Sequence, residues 1–493
     1  MVMDNLKIAF VTPEAVPYAK TGGLADVSGA LPRTLARMGH SVRLFMPKYR
    51  QVAEGISDIR RLGLKFECRI GAKSYESDIF RTVDEDCGLE TFFIGNDHFF
   101  NRGELYIAPA TKKDYADNDE RFIFFSQAVL KAVKGLNWNP DIIHANDWQS
   151  ALIIPMLRIL YKNDQCFART RAIFTIHNMG YQGQFPPETF EKLGVDKSYF
   201  YPIGPFEFWG DVNFMKSAIY FADKITTVSP TYACEIQQSD EFGKGLQGVL
   251  AERSADLIGI LNGVDYSQWS PEKDRLIPRR YGPANLSGKK KNKLALLHKC
   301  GFPIRMEHPL IGIISRLDVQ KGFDLLEEIF AEVMDLDLQL VLLGTGDEKY
   351  QEFLKEIEIR YPDKFKAFLG FDNRLAHLIE AGCDMFLMPS HYEPCGLNQM
   401  YSLKYGTVPI IRKTGGLADS VSDFDERNLT GTGFAFTNYD SQELLQTIKR
   451  AVRTFGRRRI WSKIVKQGMS KDFSWDSSAK KYLELYESLA QSD

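Results

Sequence analysis

The heptapeptide Lys20-Thr-Gly-Gly-Leu-Ala-Asp26 recurs unchanged as Lys413-Thr-Gly-Gly-Leu-Ala-Asp419, 393 positions later. Each copy joins an apolar run to a helix-period segment. Adjacent glycines let a backbone turn with positive φ and approach a ligand closely. The helix start that follows offers free N–H groups and a positive dipole end to an anion. For one copy, a tight turn with no ligand is an equal explanation. Two identical copies at strand ends favour a ligand, because open α/β sheets bind at that edge, and the two loops are expected to face each other across one cleft.

Three further constellations begin at strand ends. Ser315-Arg316-Leu-Asp-Val-Gln-Lys321-Gly322 places a guanidinium and an ammonium five residues apart. On a diphosphate each cation contributes on the order of 4 kcal/mol at ~4 Å and an effective dielectric of about 20, and the guanidinium adds bidentate geometry. The competing reading is ordinary surface charge. Pro389-Ser-His-Tyr-Glu393-Pro-Cys395-Gly396-Leu397-Asn-Gln399 presents a carboxylate suited to sugar hydroxyls, or else a capping or loop Glu. His144-Ala-Asn-Asp147-Trp148 and Thr175-Ile-His177-Asn178 bring two histidines and an aspartate to the same edge of the first half. A lone histidine is as often a satisfied core residue, which leaves His144 open. A zinc reading of His144, Asp147 and His177 has no H-x-x-x-H or thiolate pair behind it.

Metal and dinucleotide chemistry find little support. Of the D-x-D pairs, Asp335-Leu-Asp337 precedes a strand, Asp84-Glu-Asp86 lies in a polar stretch, and Asp423-Phe-Asp425 follows the second heptapeptide. Only the last is in position, and Arg316 with Lys321 already supplies the positive charge, so no metal is expected. Leu343-Gly344-Thr-Gly346 gives G-x-G with Lys349 at the third glycine position, so the dinucleotide fingerprint fails. That loop remains a pocket for a base or ribose. Tyr199-Phe-Tyr201, Phe206, Phe208 and Trp209 either stack on sugar rings or, the better single reading, pack a core.

The elements that must carry these residues are those of a parallel α/β protein, with short apolar runs alternating with helix-period segments. Strands are expected at 6–12, 41–46, 141–145, 172–177, 224–229 and 259–262, then at 309–315, 339–344, 367–370, 385–389 and 407–412. Helices are expected over 25–38, 324–334 and 479–490. At 493 residues the chain exceeds one core. The expected division is a first domain at 1–264, a linker region at 265–303, a second domain at 304–475, and a last helix at 476–493 that packs back on the first domain. The run Gly288-Lys-Lys-Lys-Asn-Lys293 reads as a solvated linker face.

Composition narrows the class. A net charge of −2 gives no support for nucleic-acid or membrane partners. Seven cysteines without a C-x-x-C argue against a disulfide framework or zinc site. No run spans a bilayer, and the start goes straight into a strand rather than a signal peptide, so a cytoplasmic protein, or a mature plastid one, is expected.

Taken in order, the KTGGL, H-x-x-D-W, T-x-H-N, L-N-G-V-D, S-R-x-x-x-Q-K-G and E-P-C-G-L blocks resemble the bacterial glycogen synthase and plant starch synthase family over essentially the whole chain. The resemblance implies a GT-B fold, two Rossmann-like domains facing across a deep cleft. It implies transfer of glucose from ADP-glucose to the 4-hydroxyl of an α-1,4-glucan with retained configuration and no cofactor. Lys20 would serve the donor phosphate, with Gly22, Gly23 and Asp26 in its loop. Arg316 and Lys321 would neutralise the diphosphate, Glu393 would contact the transferred glucose, and His177 would lie beside the anomeric centre. Asp147 and Asn262 would position glucose. Gly344, Cys395, Gly396, Leu397, Thr414, Gly415 and Gly416 would complete the substrate surface. Many retaining GT-B enzymes carry a second Glu eight residues after the first; here it is Tyr401, as in the glycogen and starch synthases. A UDP-glucose transferase with a small acceptor, and a catalytically silent glucan-binding or initiation protein, are the competing readings. The intact set Lys20, Arg316, Lys321 and Glu393 weighs against the second.

Overall fold

The strand-forming runs are near-continuous in Val, Ile, Leu and Phe because their strands are buried on both faces. In Lys7–Val11 every residue after the first is buried. The structure, a computed structural model, describes residues 5–55 and 58–491, so the ends of the expected outer boundaries lie outside the described residues. The chain forms two compact units. Unit 1 comprises Met1–Val228, Ala233–Ile260 and Trp475–Asp493, and unit 2 comprises Ser229–Tyr232 and Leu261–Ser474.

Unit 1 carries β1 (Lys7–Val11), β2 (Ser41–Pro47), β3 (Arg60–Ile70), β4 (Lys73–Val83), β5 (Glu90–Gly95), β6 (Ile142–Asn146), β7 (Arg171–Ile176), β8 (Gln184–Phe185), β9 (Glu207–Phe208), β10 (Asp211–Asn213), β11 (Lys224–Thr227) and β12 (Leu257–Gly259). Nine of them form one sheet in the order β12-β11-β7-β6-β1-β2-β5-β4-β3, and β8-β10-β9 form a small antiparallel sheet. The pairs from β12 to β5 are parallel; β4 and β3 add an antiparallel edge. After β1 the chain builds outward through β2, then returns to the other side of β1 with β6 and β7. The strand order therefore reverses between β1 and β6.

Unit 2 carries β13 (Leu310–Leu317), β14 (Gln339–Gly346), β15 (Phe365–Leu369), β16 (Met385–Met388), β17 (Val408–Arg412) and β18 (Phe434–Phe436). All pairs in the order β15-β14-β13-β16-β17-β18 are parallel. Its reversal lies between β13 and β16. Ligands of such sheets bind outside the carboxyl ends of the strands at this reversal, and in both units the residues of chemical interest fall there.

Two expectations about the region between the sheets change. Residues 265–303 lie within unit 2. Gly288 to Lys293 falls in the helix Ser287–Cys300, whose i, i+4 spacing turns Lys289 and Lys293 to one inner face. Lys289 Nζ donates to Thr407 Oγ1 at 2.6 Å, and Lys293 Nζ lies 2.7 Å from Asp384 Oδ2. Only Lys290 and Lys291 of the four are solvated. The last helix, Trp475–Ala490, belongs to unit 1, where Tyr486 Oη meets His144 Nδ1 at 2.7 Å.

Candidate active site

In unit 1 the first heptapeptide follows β1, the strand at the reversal. Gly22 caps the helix Gly23–Arg37 with φ −146°, and neither glycine of this copy has positive φ, contrary to expectation. The loop is fixed by Glu14. One oxygen of its carboxylate accepts from Thr21 N at 2.5 Å, Thr21 Oγ1 at 3.0 Å and Gly22 N at 3.4 Å. The Gly22 amide, expected to face an outside anion, thus faces an internal one. Glu14 is buried, and that burial, outweighing its hydrogen bonds, raises its pKa. Lys20 Nζ lies 2.7 Å from Asp26 Oδ1 of the same copy and remains half exposed.

Asp147 follows β6, across the reversal from β1. It holds φ 54° and ψ 175° at the start of the helix Trp148–Ala151, a region nearly exclusive to glycine and a sign of strain kept for a purpose. Its Oδ1 accepts from His177 N at 2.8 Å. Burial pushes the Asp147 carboxyl up to about 7, with the nearby Glu14 charge adding to the effect. His177, just past β7, points Nε2 at Asn146 Oδ1, 3.0 Å away. The Asn146 amide nitrogen donates to Val11 O and His144 O, so its oxygen faces His177 and the imidazole carries its proton on Nε2. Burial drives the His177 pKa down to about 3, keeping the ring neutral with a lone pair on Nδ1.

His144 resolves as a core residue. Its Nδ1 meets Tyr486 Oη at 2.7 Å and its Nε2 meets Thr175 Oγ1 at 2.5 Å. With both ring nitrogens engaged it cannot ligate a metal. Among the described residues no group of His, Cys, Asp or Glu is arranged to hold a metal ion.

In unit 2 the reversal between β13 and β16 is bridged by charge. Lys321 Nζ lies 2.6 Å from Glu393 Oε2, which also accepts from Ser390 Oγ at 3.1 Å. Arg316 is more exposed and pairs with Asp318 at 3.3 Å. The second heptapeptide follows β17, one strand beyond the reversal, and packs its glycines against the Glu393 loop. A Cβ on Gly415 (φ +41°) would sit 2.0 Å from Glu393 O, and one on Gly416 2.0 Å from Cys395 O. Backbone meets backbone here, so only glycine fits. Thr414 lies buried in the same turn.

The remaining unit 2 residues divide by role. Gly396 and Leu397 lead into the helix Asn398–Tyr405, and Gln399 Nε2 donates to Cys395 O and Gly396 O, fixing the turn. Asn262 is buried with an unpartnered Oδ1 and directs its N–H groups at Cys395, whose thiol burial pushes up to about 12. A Cβ on Gly344 would meet Ser315 O at 2.1 Å, so strand contact accounts for that glycine. Asp423 is bonded to Arg450 and Ala435 N, and Asp425 caps its own turn, which makes Asp423-Phe-Asp425 structural. Trp269 stacks on Tyr401 with ring centroids 4.1 Å apart and on His377 with centroids 3.8 Å apart.

The identical heptapeptides therefore differ in work. Asp26 holds Lys20 of its own copy, whereas Asp419 accepts from Thr231 N at 2.9 Å and Thr231 Oγ1 at 2.6 Å. Sequence reasoning missed Glu14, although Pro13-Glu14 at the end of a buried strand was a signal. It also missed Asn146, whose role depends on the tautomer it imposes, and Phe371, which stands 91% exposed just past β15 where Gly370 N bonds Gly344 O at 2.8 Å. The aromatic stretch splits: Phe206 is buried, while Trp209 is 82% exposed.

Comparison with known proteins gives consistent results over the whole chain. Residues 7–252 match the family described as starch synthase catalytic domain, and residues 299–467 match glycosyl transferases group 1. The chain is 44% identical to a glycogen synthase of Koribacter versatilis over 99% of both chains, and 44% identical to one of Thermotoga maritima over 98% of both. It is similar to the catalytic domain of starch synthase IV from Arabidopsis thaliana bound to ADP and acarbose, at 36% identity and a TM-score of 0.88, covering 99% of this chain and 100% of that one. A sucrose-phosphate synthase of Thermosynechococcus elongatus, at 17% identity and a TM-score of 0.60, shares the fold.

Proposed function

The chain belongs to the glycogen and starch synthase family of GT-B glucosyltransferases, and from that premise we propose that it transfers glucose from ADP-glucose to the non-reducing 4-hydroxyl of an α-1,4-glucan with retention of configuration. The observation that carries this reading is the Lys321–Glu393 pair at the strand reversal of unit 2, in a chain that is similar to a synthase whose structure holds ADP and acarbose. No described helix is long and apolar enough to cross a membrane.

The mechanism follows from where charge develops. As the glucose–phosphate bond breaks, negative charge grows on the diphosphate and positive charge on the sugar. Lys321 and Arg316 receive the first, aided by the backbone of Thr414, Gly415 and Gly416. Preorganised groups of this kind are each worth about 10²–10³ in rate. Once the diphosphate attracts Lys321, Glu393 is released from its full ion pair to accept sugar hydroxyls. Within unit 1, Asp147 and His177 are the groups suited to a sugar. A neutral imidazole there adds no like charge to the positive sugar. The acceptor hydroxyl attacks the face the diphosphate leaves, and leaving-group phosphate takes its proton. These cations do the work a divalent metal does elsewhere, so the reading requires no cofactor. Phe371 offers the nucleotide base an aromatic face.

Product analysis tests the reading. Incubation with ADP-glucose and maltotetraose should give maltopentaose whose new non-reducing residue is α-1,4-linked by NMR. A β-anomeric signal, or release of free glucose without chain extension, contradicts it.

A further inference from the structure

Two of the most exposed apolar side chains of unit 1 stand in backbone geometry that such residues avoid. Ile203 is 87% exposed at φ +67°, and Trp209 is 82% exposed at φ +54°. A β-branched or bulky residue at positive φ is an outlier, and such strain persists only where the surroundings over-determine it. Glu207 of β9 does so: its Oε2 accepts from Ile203 N at 2.7 Å and its Oε1 from Gly210 N at 2.7 Å. Lys216 Nζ donates to Glu207 O at 2.5 Å. One carboxylate thus clamps both segments and holds the indole out.

This turn is continuous with the candidate site. Trp148, next to Asp147, packs on Phe185 of β8 at 5.6 Å, and Phe185 packs on Phe214 at 4.9 Å. Asn213 Nδ2 donates to Gln182 Oε1 at 2.7 Å, tying β10 to the loop that leaves His177. The small sheet is therefore built onto the loops that carry Asp147 and His177.

We propose that the Trp209 turn is a docking platform on which a chain of the α-glucan acceptor stacks outside the reacting centre, an inference that rests on the glucosyltransferase reading above. The C–H face of a glucose ring matches the size and apolar character of an indole face. A protein partner needs roughly 1,000 Å² of interface, far more than two side chains offer. A polymer that is extended at its end has many further residues to place, and a stacking site beside the catalytic loops keeps that end near.

The test is native electrophoresis of the full chain through gels containing glycogen, without donor, for the parent and Trp209→Gly. Glycine suits the left-handed backbone, so the variant keeps its thermal midpoint. The glycogen concentration for half-retardation rises roughly three- to ten-fold, the scale of one aromatic contact, and the ratio of glycogen to maltotriose turnover falls with it. A parent that is not retarded overturns the proposal, as does a variant retarded like the parent. A dimer lost in Trp209→Gly with retardation unchanged also overturns it, in favour of a second copy of the chain. Absence of transfer from ADP-glucose to maltotriose by the parent counts against the underlying reading instead, because retardation is measured without turnover.

Discussion

Lys321 and Glu393, 2.6 Å apart, join the loop after β13 to the loop after β16 across the point where the strand order of unit 2 reverses. Both side chains are largely buried, so each is the other's main compensation. Removal of either leaves an under-compensated charge.

Lys321→Ala and Glu393→Ala should each lower turnover by about 10²–10³ and lower the thermal midpoint. The double variant should lose less stability than the sum of the singles, because both remove one pair. Additive losses in the melting series would show that the pair is not coupled.

The two glycine pairs should respond differently to alanine. Nothing lies within 4 Å of a Cβ at Gly22 or Gly23, whereas Gly415 and Gly416 abut carbonyl oxygens at 2.0 Å. Alanine at 22 or 23 should fold with a midpoint near the parent, and loss of donor affinity there would mark close ligand approach. Alanine at 415 or 416 should yield little folded protein. Equal stability across all four variants, by calorimetry, contradicts this packing.

Glu14→Ala should release the loop that carries Lys20. Amide hydrogen exchange at Thr21 and Gly22 should quicken, and turnover should fall. Glu14→Gln keeps an acceptor oxygen and should lie between the two. Unchanged exchange in Glu14→Ala would remove Glu14 from the loop.

His144 and His177 each have pKa values near 3 in the fold, because burial disfavours the imidazolium, against an ordinary 6.5. Their contribution to stability is complete above about 6.5 and is lost as pH falls toward 3, since unfolding then takes up a proton at each. One proton corresponds to about 1.4 kcal/mol per pH unit. Asp147, raised from 3.8 to about 7, acts oppositely: its contribution is present below 3.8 and is lost as pH rises through about 7. His144→Gln should therefore flatten the acid slope of unfolding free energy by about one proton, and Asp147→Asn should steepen it. Parallel slopes for His144→Gln and the parent would contradict a neutral buried His144.

The parallel core was legible because strands buried on both faces read as apolar runs, and β1, β2, β6, β7, β13, β14, β16 and β17 all fall where those runs lie. β3 and β4 were not, since their exposed edge carries charged residues such as Arg60, Arg61 and Lys73. The site residues were legible as loops at strand ends. Their mutual contacts were not, because the Lys321–Glu393 bond joins positions 72 apart in sequence. The same limit hid the inward turn of Lys289 and Lys293. It also hid the separate tasks of Asp26 and Asp419, which only their tertiary surroundings distinguish.

The most direct measurement of the central claim is donor choice. With maltohexaose as acceptor and glucose-labelled ADP-glucose or UDP-glucose, kcat/KM should be clearly higher for ADP-glucose, in the presence of EDTA as in its absence. Label entering the oligosaccharide equally well or better from UDP-glucose, or only when a divalent metal is supplied, would contradict the account.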